Sequence, residues 1–184
     1  MSGSLGDTYL NDVRRMYRYY KSLAEKSMAQ VSDADLHTLV DPDANSIAVV
    51  VKHVAGNLRS RFRDFLTTDG EKPDRDRDGE FEMPEQISRD EILTGWNQAW
   101  EITLGTLDSL TAADLERTIT IRGEAFMVVE ALDRSINHTA YHVGQIVLLA
   151  KHLAGSAWTS LTIPKGRSKE AHKGDFKQRL SALR

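Results

Sequence analysis

The chain has 184 residues, the length of one ordinary globular domain, so we expect residues 1–184 to form a single domain. Hydrophobic residues make up 40% and charged residues 28% of the chain, which excludes intrinsic disorder and a fibrous protein. The net charge of -3 argues against a general binder of nucleic acid, and the absence of cysteine excludes disulfides, thiolate metal ligands and a cysteine nucleophile.

Four amphipathic segments predict four long helices, because apolar residues recur in them at steps of three and four. The second helix is expected to begin at a cap formed by Asn45 or Ser46. The third is expected to begin at Ser88, which forms a capping-box pattern with Glu91. The predicted helices span about residues 7–31, 46–66, 88–108 and 125–153.

The stretch between the third and fourth helices, TAADLERTITIRGE, contains a short turn and β-branched residues that favour an extended chain before Gly123. No segment of the sequence shows the sustained two-residue alternation of a half-buried strand. We therefore predict an all-α four-helix bundle with long connections and a basic C-terminal extension over residues 160–184.

Charge is distributed unevenly along the chain. Residues 69–82, here called the acidic connector, hold seven acidic and three basic residues. Residues 165–184, the basic tail, hold seven basic and two acidic residues. Two interpretations remain open: both segments are solvated, or they pair with each other or with a second subunit.

Two histidines in the predicted fourth helix have a spacing typical of metal ligands. His138 and His142 are four residues apart, so both imidazoles lie on one side of the helix. A third imidazole is available from His53 in the second helix. Three neutral imidazoles hold a divalent ion and leave a fourth position open. The alternative is that the spacing arose by chance and that the histidines are buried hydrogen-bonding groups.

The rotation of the fourth helix argues against this convergence. The predicted apolar ridge includes Ile136, Val143 and Val147. Around an ideal helix, His138 and His142 lie about 200° and 240° from Ile136, away from that ridge. The fourth helix would then have to be buried on two faces.

Two amides lie near the predicted histidine site. Asn57 follows His53 by one helical turn, and Gln145 follows His142 by three residues. Both side chains are candidates for orienting a ligand or a bound cofactor. The alternative is that they satisfy buried backbone groups.

A calcium-loop pattern overlaps the acidic connector. It is formed by Asp74, Asp76, Asp78, Gly79 and Glu85. An EF-hand requires helices on both sides of its loop, whereas Pro73 precedes this pattern and Pro84 lies within its last turn. The surrounding sequence therefore argues against calcium binding.

The amino-terminal stretch MSGSLGDTYLND lacks the basic start and the apolar run of a signal peptide. The longest aliphatic runs are five residues, too short to span a membrane. We therefore expect a cytoplasmic protein with no membrane partner and no nucleic-acid partner.

Four stretches of the sequence together resemble one known superfamily. They are NSIAVVVKHVAGNLRSRFRDFLTTDGEKP, IRGE, NHTAYHVGQIVLLAKHL and WTSLTIPKGRS. In these stretches the chain resembles the DinB/YfiT-like superfamily of bacterial four-helix-bundle proteins. The resemblance implies a homodimer and a divalent metal ion, nickel or zinc, held by inward-facing His53, His138 and His142.

The resemblance also implies a class of chemistry. Relatives in the wider superfamily are transferases or isomerases that use a low-molecular-weight thiol such as bacillithiol or mycothiol. The expected function is therefore that of a metal-dependent thiol S-transferase, or of a hydrolase if water takes the place of the thiol. The alternatives are a non-catalytic dimeric protein that binds metal or a small ligand, and a bundle that has lost its metal.

Overall fold

The structure, a computed structural model, describes residues 3–82 and 87–170. A two-stranded antiparallel hairpin of β1 (Thr118–Ile121) and β2 (Glu124–Met127) precedes the last helix, with Thr118 opposite Met127. In the bundle, α3 packs mainly against α4, α1 packs mainly against α5, and α3 also contacts α5. The helices are α1 (Leu5–Met28), α2 (Asp33–His37), α3 (Ile47–Phe62), α4 (Arg89–Ser109) and α5 (Val128–Ala154).

The all-α prediction is confirmed, and the predicted helix caps explain where two of the long helices begin. Ser46 caps α3 by accepting a hydrogen bond from the Val49 amide. Ser88 and Glu91 form the predicted capping box at the start of α4. No helix within the described residues is long and apolar enough to cross a membrane.

Three predicted boundaries are wrong for local reasons. The first helix ends at Met28, and after a short turn the separate helix α2 begins at Asp33, where Ser32 caps it. The second helix ends at Phe62 because Arg63 is extended and Asp64 has a φ of 50°. Residues 125–127, predicted to be helical, belong to β2.

An aromatic cluster holds three of the long helices together. The Tyr17 ring on α1 makes edge contacts with Phe62 on α3 and Trp100 on α4. All three side chains are almost completely buried. Aromatic side chains bury about 150–250 Å² each and dominate the energetics of a core, so this cluster fixes the spacing of α1, α3 and α4.

The apolar ridge predicted for α5 differs from the observed buried face by a rotation of about 70° around the helix axis. The observed face lies closer to the histidines than the predicted ridge does. Two of the buried positions are polar, Ser135 and Thr139, and their hydroxyls lie beside the buried hydroxyl of Tyr17. The observed orientation turns His138 and His142 toward the bundle, so the objection raised by ideal rotation is wrong. The buried residues of α5 are Val128, Ala131, Leu132, Ser135, Thr139, Val143, Ile146 and Ala150.

The acidic connector pairs with nearby arginines within the same chain. Glu71 forms ion pairs with Arg61 on α3 and with Arg122 at the hairpin turn, both at 3.0 Å. Asp69 accepts hydrogen bonds from the backbone amides of Arg122 and Gly123 at 2.8 Å. The connector is therefore fixed to both α3 and the hairpin, whereas residues 171–184 of the basic tail lie outside the described residues.

Candidate metal centre

Three histidines from two helices converge at one point of the bundle. His53 comes from α3, and His138 and His142 come from successive turns of α5. One ring nitrogen of each lies within 4.8 Å of the others, and the His53 and His138 Nε2 atoms are 3.2 Å apart. Two nitrogens bound tetrahedrally to one zinc ion are about 3.3–3.4 Å apart, so this separation suits a shared ion.

A buried glutamate orients the first imidazole. His53 Nδ1 lies 2.8 Å from the Glu80 carboxylate, whose residue is only 5% exposed. This contact assigns the proton to Nδ1, which donates to Glu80 and leaves the Nε2 lone pair facing the other histidines. Burial alone would raise the pKa of Glu80, but hydrogen bonds from His53 and Arg75 outweigh it and lower that pKa.

The space for Glu80 depends on a glycine. A Cβ atom added at Gly56 would overlap the Glu80 carboxylate. Lys52, one turn earlier on α3, donates to the backbone carbonyls of Gly79 at 2.8 Å and Glu82 at 2.6 Å. These contacts hold the end of the acidic connector against α3, next to His53.

An amide orients the third imidazole in the same manner. His142 Nδ1 lies 2.8 Å from Gln145 Oε1, so this nitrogen donates and Nε2 is left without a proton. Gln145 therefore orients the His142 ring through this hydrogen bond. Asn57 is buried and lines the adjoining cavity. Whether either amide binds a cofactor stays a prediction.

Burial and neighbouring charges keep two of the imidazoles neutral. Burial lowers the pKa of His138 to about 3, and His142, His53, Arg75 and Arg61 add to the effect. Burial also lowers the pKa of His142, and His53 contributes to this lowering although the Gln145 hydrogen bond opposes it. Neutral imidazoles are the form that coordinates metal ions, so the site is ready to bind at neutral pH.

A cavity of about 330 Å³ opens directly from the three imidazoles. Ligand sites in proteins usually occupy about 300–1,000 Å³, so this volume accommodates a small molecule. Ile121, Phe81 and Ala131 supply its apolar wall. Its polar lining consists of His53, Asn57, Arg61, Arg75, Arg77, Arg122, Arg134, Ser135, His138 and His142.

The carboxylates of the calcium pattern have other partners. Asp74 forms two hydrogen bonds with Arg63, and Asp76 accepts the Gly79 amide at 2.9 Å. Glu85 lies outside the described residues. Within the ranges that the structure describes, the three histidines are the one group of potential ligands that converges.

The sequence interpretation assigned neither Glu80 nor the arginines of the cavity to a functional site. Glu80 is 27 residues from His53 and belongs to a connector, so helical periodicity carries no signal for it. The sequence does contain a signal for two of the arginines. Arg61 lies two four-residue steps after His53, and Arg134 lies one such step before His138, so each shares a helix face with a histidine.

Comparison with known proteins identifies the family. A family model described as a protein of unknown function, DUF1572, matches residues 4–167. No curated protein matches the sequence. Because the match covers most of its length, the chain belongs to the DUF1572 family.

Proposed function

We propose that this protein is a metal-dependent enzyme of the DinB/YfiT type that acts on a small molecule. His53, His138 and His142 would hold a divalent ion, with nickel or zinc as the expected metals. The observation that carries the proposal is the convergence of three imidazoles on the wall of a 330 Å³ cavity. Three protein ligands with an adjoining open space are the arrangement of catalytic rather than structural zinc sites.

The donor atoms fit such an ion. Imidazole nitrogens suit zinc, nickel, copper and iron, whereas calcium and magnesium require oxygen ligands. Glu80 and Gln145 engage the Nδ1 atoms of His53 and His142, which leaves both Nε2 atoms for coordination. Metal-binding histidines in proteins almost always have such partners on the second nitrogen.

The proposed reaction is transfer of a low-molecular-weight thiol to an electrophile, or hydrolysis with water in its place. A bound divalent ion lowers the pKa of a coordinated thiol or water and so supplies a nucleophile at neutral pH. The sulfur would come from a cofactor because the chain contains no cysteine. Asn57 lies one turn from His53 on the cavity wall, where its amide can orient the incoming molecule.

Metal content tests the site directly. Protein purified without an affinity tag is expected to contain about one divalent ion per chain by elemental mass spectrometry, since three ligands hold a single ion. His138→Ala removes one ligand and should abolish stoichiometric binding. His152→Ala, which alters an exposed histidine at the end of α5, should retain the ion. Equal metal content in the two variants would refute the site.

Glu80→Gln tests the orienting carboxylate. The substitution keeps an acceptor near His53 but removes the negative charge, so metal affinity should fall about 10- to 100-fold, as for other partners of metal-binding histidines. Competition with a chelator measures the change. Glu82→Gln, at an exposed position two residues away, should leave the affinity unchanged. Circular dichroism checks that the Glu80 variant folds, because Arg75 also loses a buried partner.

Turnover separates an enzyme from a binding protein. Metal-loaded protein is incubated with bacillithiol or mycothiol and chemically varied electrophiles, and thiol consumption is followed. We expect the thiol to lose its proton to solvent and its sulfur to displace a leaving group from the electrophilic carbon. The new carbon–sulfur bond replaces the bond to the leaving group, which departs with the electron pair, and the rate should fall to background in His138→Ala. Thiol binding without consumption of any electrophile would instead support a non-catalytic binding protein.

A homodimer is the last part of the proposal. Tyr141 and Leu148, 65% and 68% exposed, lie two turns apart on the outer side of α5 and offer an apolar contact surface. Sedimentation equilibrium should give twice the chain mass for the wild type and the chain mass for Leu148→Glu. Leu5→Glu alters a more exposed leucine on α1 and should remain dimeric. A monomeric wild type would rule out this surface.

A further inference from the structure

The wall of the cavity is unusually rich in positive charge. Five arginines line it, and its lining contains no aspartate or glutamate among the described residues. Arginine side chains pack beside each other only at a cost in electrostatic repulsion, which the surroundings or a ligand must offset. The five residues are Arg61, Arg75, Arg77, Arg122 and Arg134.

Both site helices extend from the imidazoles to a guanidinium by repeated four-residue steps. Along α3, His53 is followed by Asn57 and then Arg61, and all three line the cavity. Along α5, Arg134 precedes His138 by four residues. One such step is about 6 Å along a helix axis, so Arg61 and Arg134 lie farther along the cavity from the imidazoles, at its arginine end. Arg75, by contrast, lies next to the imidazoles through its contact with Glu80.

The positive charge is only partly balanced. The carboxylates that form ion pairs with these five arginines are Glu71, Glu80 and Asp78, which leaves two positive charges in excess. Arg134 forms no ion pair within the described residues, and its guanidinium lies 5.9 Å from the centre of the Phe126 ring.

Two further arginines retain donors that face solvent or the cavity. Arg122 is half-exposed although it contacts Glu71. Arg77 is also half-exposed, contacts the exposed Asp78 at 3.8 Å and lies 5.7 Å from the centre of the Phe81 ring. Guanidinium groups offer planar, paired donors that match a carboxylate or phosphate. Arg134, Arg122 and Arg77 are therefore the groups best placed to bind an anion.

We propose that the cavity binds a small organic anion, whose carboxylate or phosphate contacts Arg134 and its neighbours while its reactive group reaches the imidazoles. Binding of the anionic group depends on the arginines alone. Only the approach of the reactive group to a metal ion at the imidazoles rests on the proposed function. A cavity of 330 Å³ admits a metabolite-sized anion rather than a polymer.

Binding to metal-free protein tests the arginines separately from the metal. Calorimetric titrations at one ionic strength compare succinate, inorganic phosphate and succinamide, which has the length of succinate without its charge. Succinate or phosphate should bind at least about tenfold more tightly than succinamide, because hydrogen bonds to charged groups are about twice as strong as neutral ones. Arg134→Gln should weaken binding of the preferred anion about tenfold.

A matched variant and a second substitution complete this test. Arg117→Gln changes a half-exposed arginine outside the cavity, paired with Asp114, and should bind as the wild type does. Arg122→Gln alters the half-exposed arginine that shares Glu71 with Arg61, and it reports on the arginine end if Arg134→Gln does not fold. Equal binding of succinate, phosphate and succinamide, or unchanged anion affinity in both cavity variants, would overturn the proposal.

Zinc-loaded protein tests the two ends together. 3-Mercaptopropionate and 3-mercaptopropan-1-ol carry the same thiol, but the first also carries a carboxylate. We expect the first to bind at least about tenfold more tightly, and Arg134→Gln to remove this preference. If zinc binds and both thiols bind equally, the anion inference fails and the metal site stands. If zinc does not bind, the proposed function fails, and the succinate and phosphate titrations still decide the role of the arginines.

Discussion

The candidate site depends on one buried chain of hydrogen bonds, from Arg75 through Glu80 to His53. All three side chains are less than 8% exposed, and Arg75 Nε lies 2.7 Å from Glu80 Oε1. Burying charges costs free energy unless each finds a partner, and Glu80 has two partners here. Because Gly56 leaves room for the carboxylate beside α3, the connector closes this end of the bundle and orients His53 through a single residue.

The same connector explains why a β-hairpin interrupts an otherwise helical chain. Arg122 and Gly123 both have positive φ angles, the conformation of a tight two-residue hairpin turn. A positive φ is unfavourable for arginine, and Asp69 offsets this cost by accepting the backbone amides of both residues. The turn thereby brings the Arg122 guanidinium to the cavity, where Glu71 contacts it. The hairpin is thus part of the candidate site.

Local signals made part of this structure predictable. The capping box at Ser88 and the four-residue step from His138 to His142 both act within one helix, so periodicity and capping chemistry indicate them. The face of α5 was mispredicted because it buries the polar residues Ser135 and Thr139, which a hydrophobic pattern assigns to solvent. Glu80 reaches His53 only through tertiary folding of the connector, and no local rule predicts that contact.

The two ends of the cavity affect each other through their charges. The positive charges of Arg75 and Arg61 help lower the pKa of His138, and the same field opposes a divalent cation at the imidazoles. Glu80 and Glu71 form ion pairs with three of the five cavity arginines and offset only part of the positive charge of the whole set. An anion at the arginine end would offset more of it and so favour metal binding. By thermodynamic linkage, an ion at the imidazoles would favour the anion equally, so an anionic ligand and a metal ion would stabilise each other in this cavity.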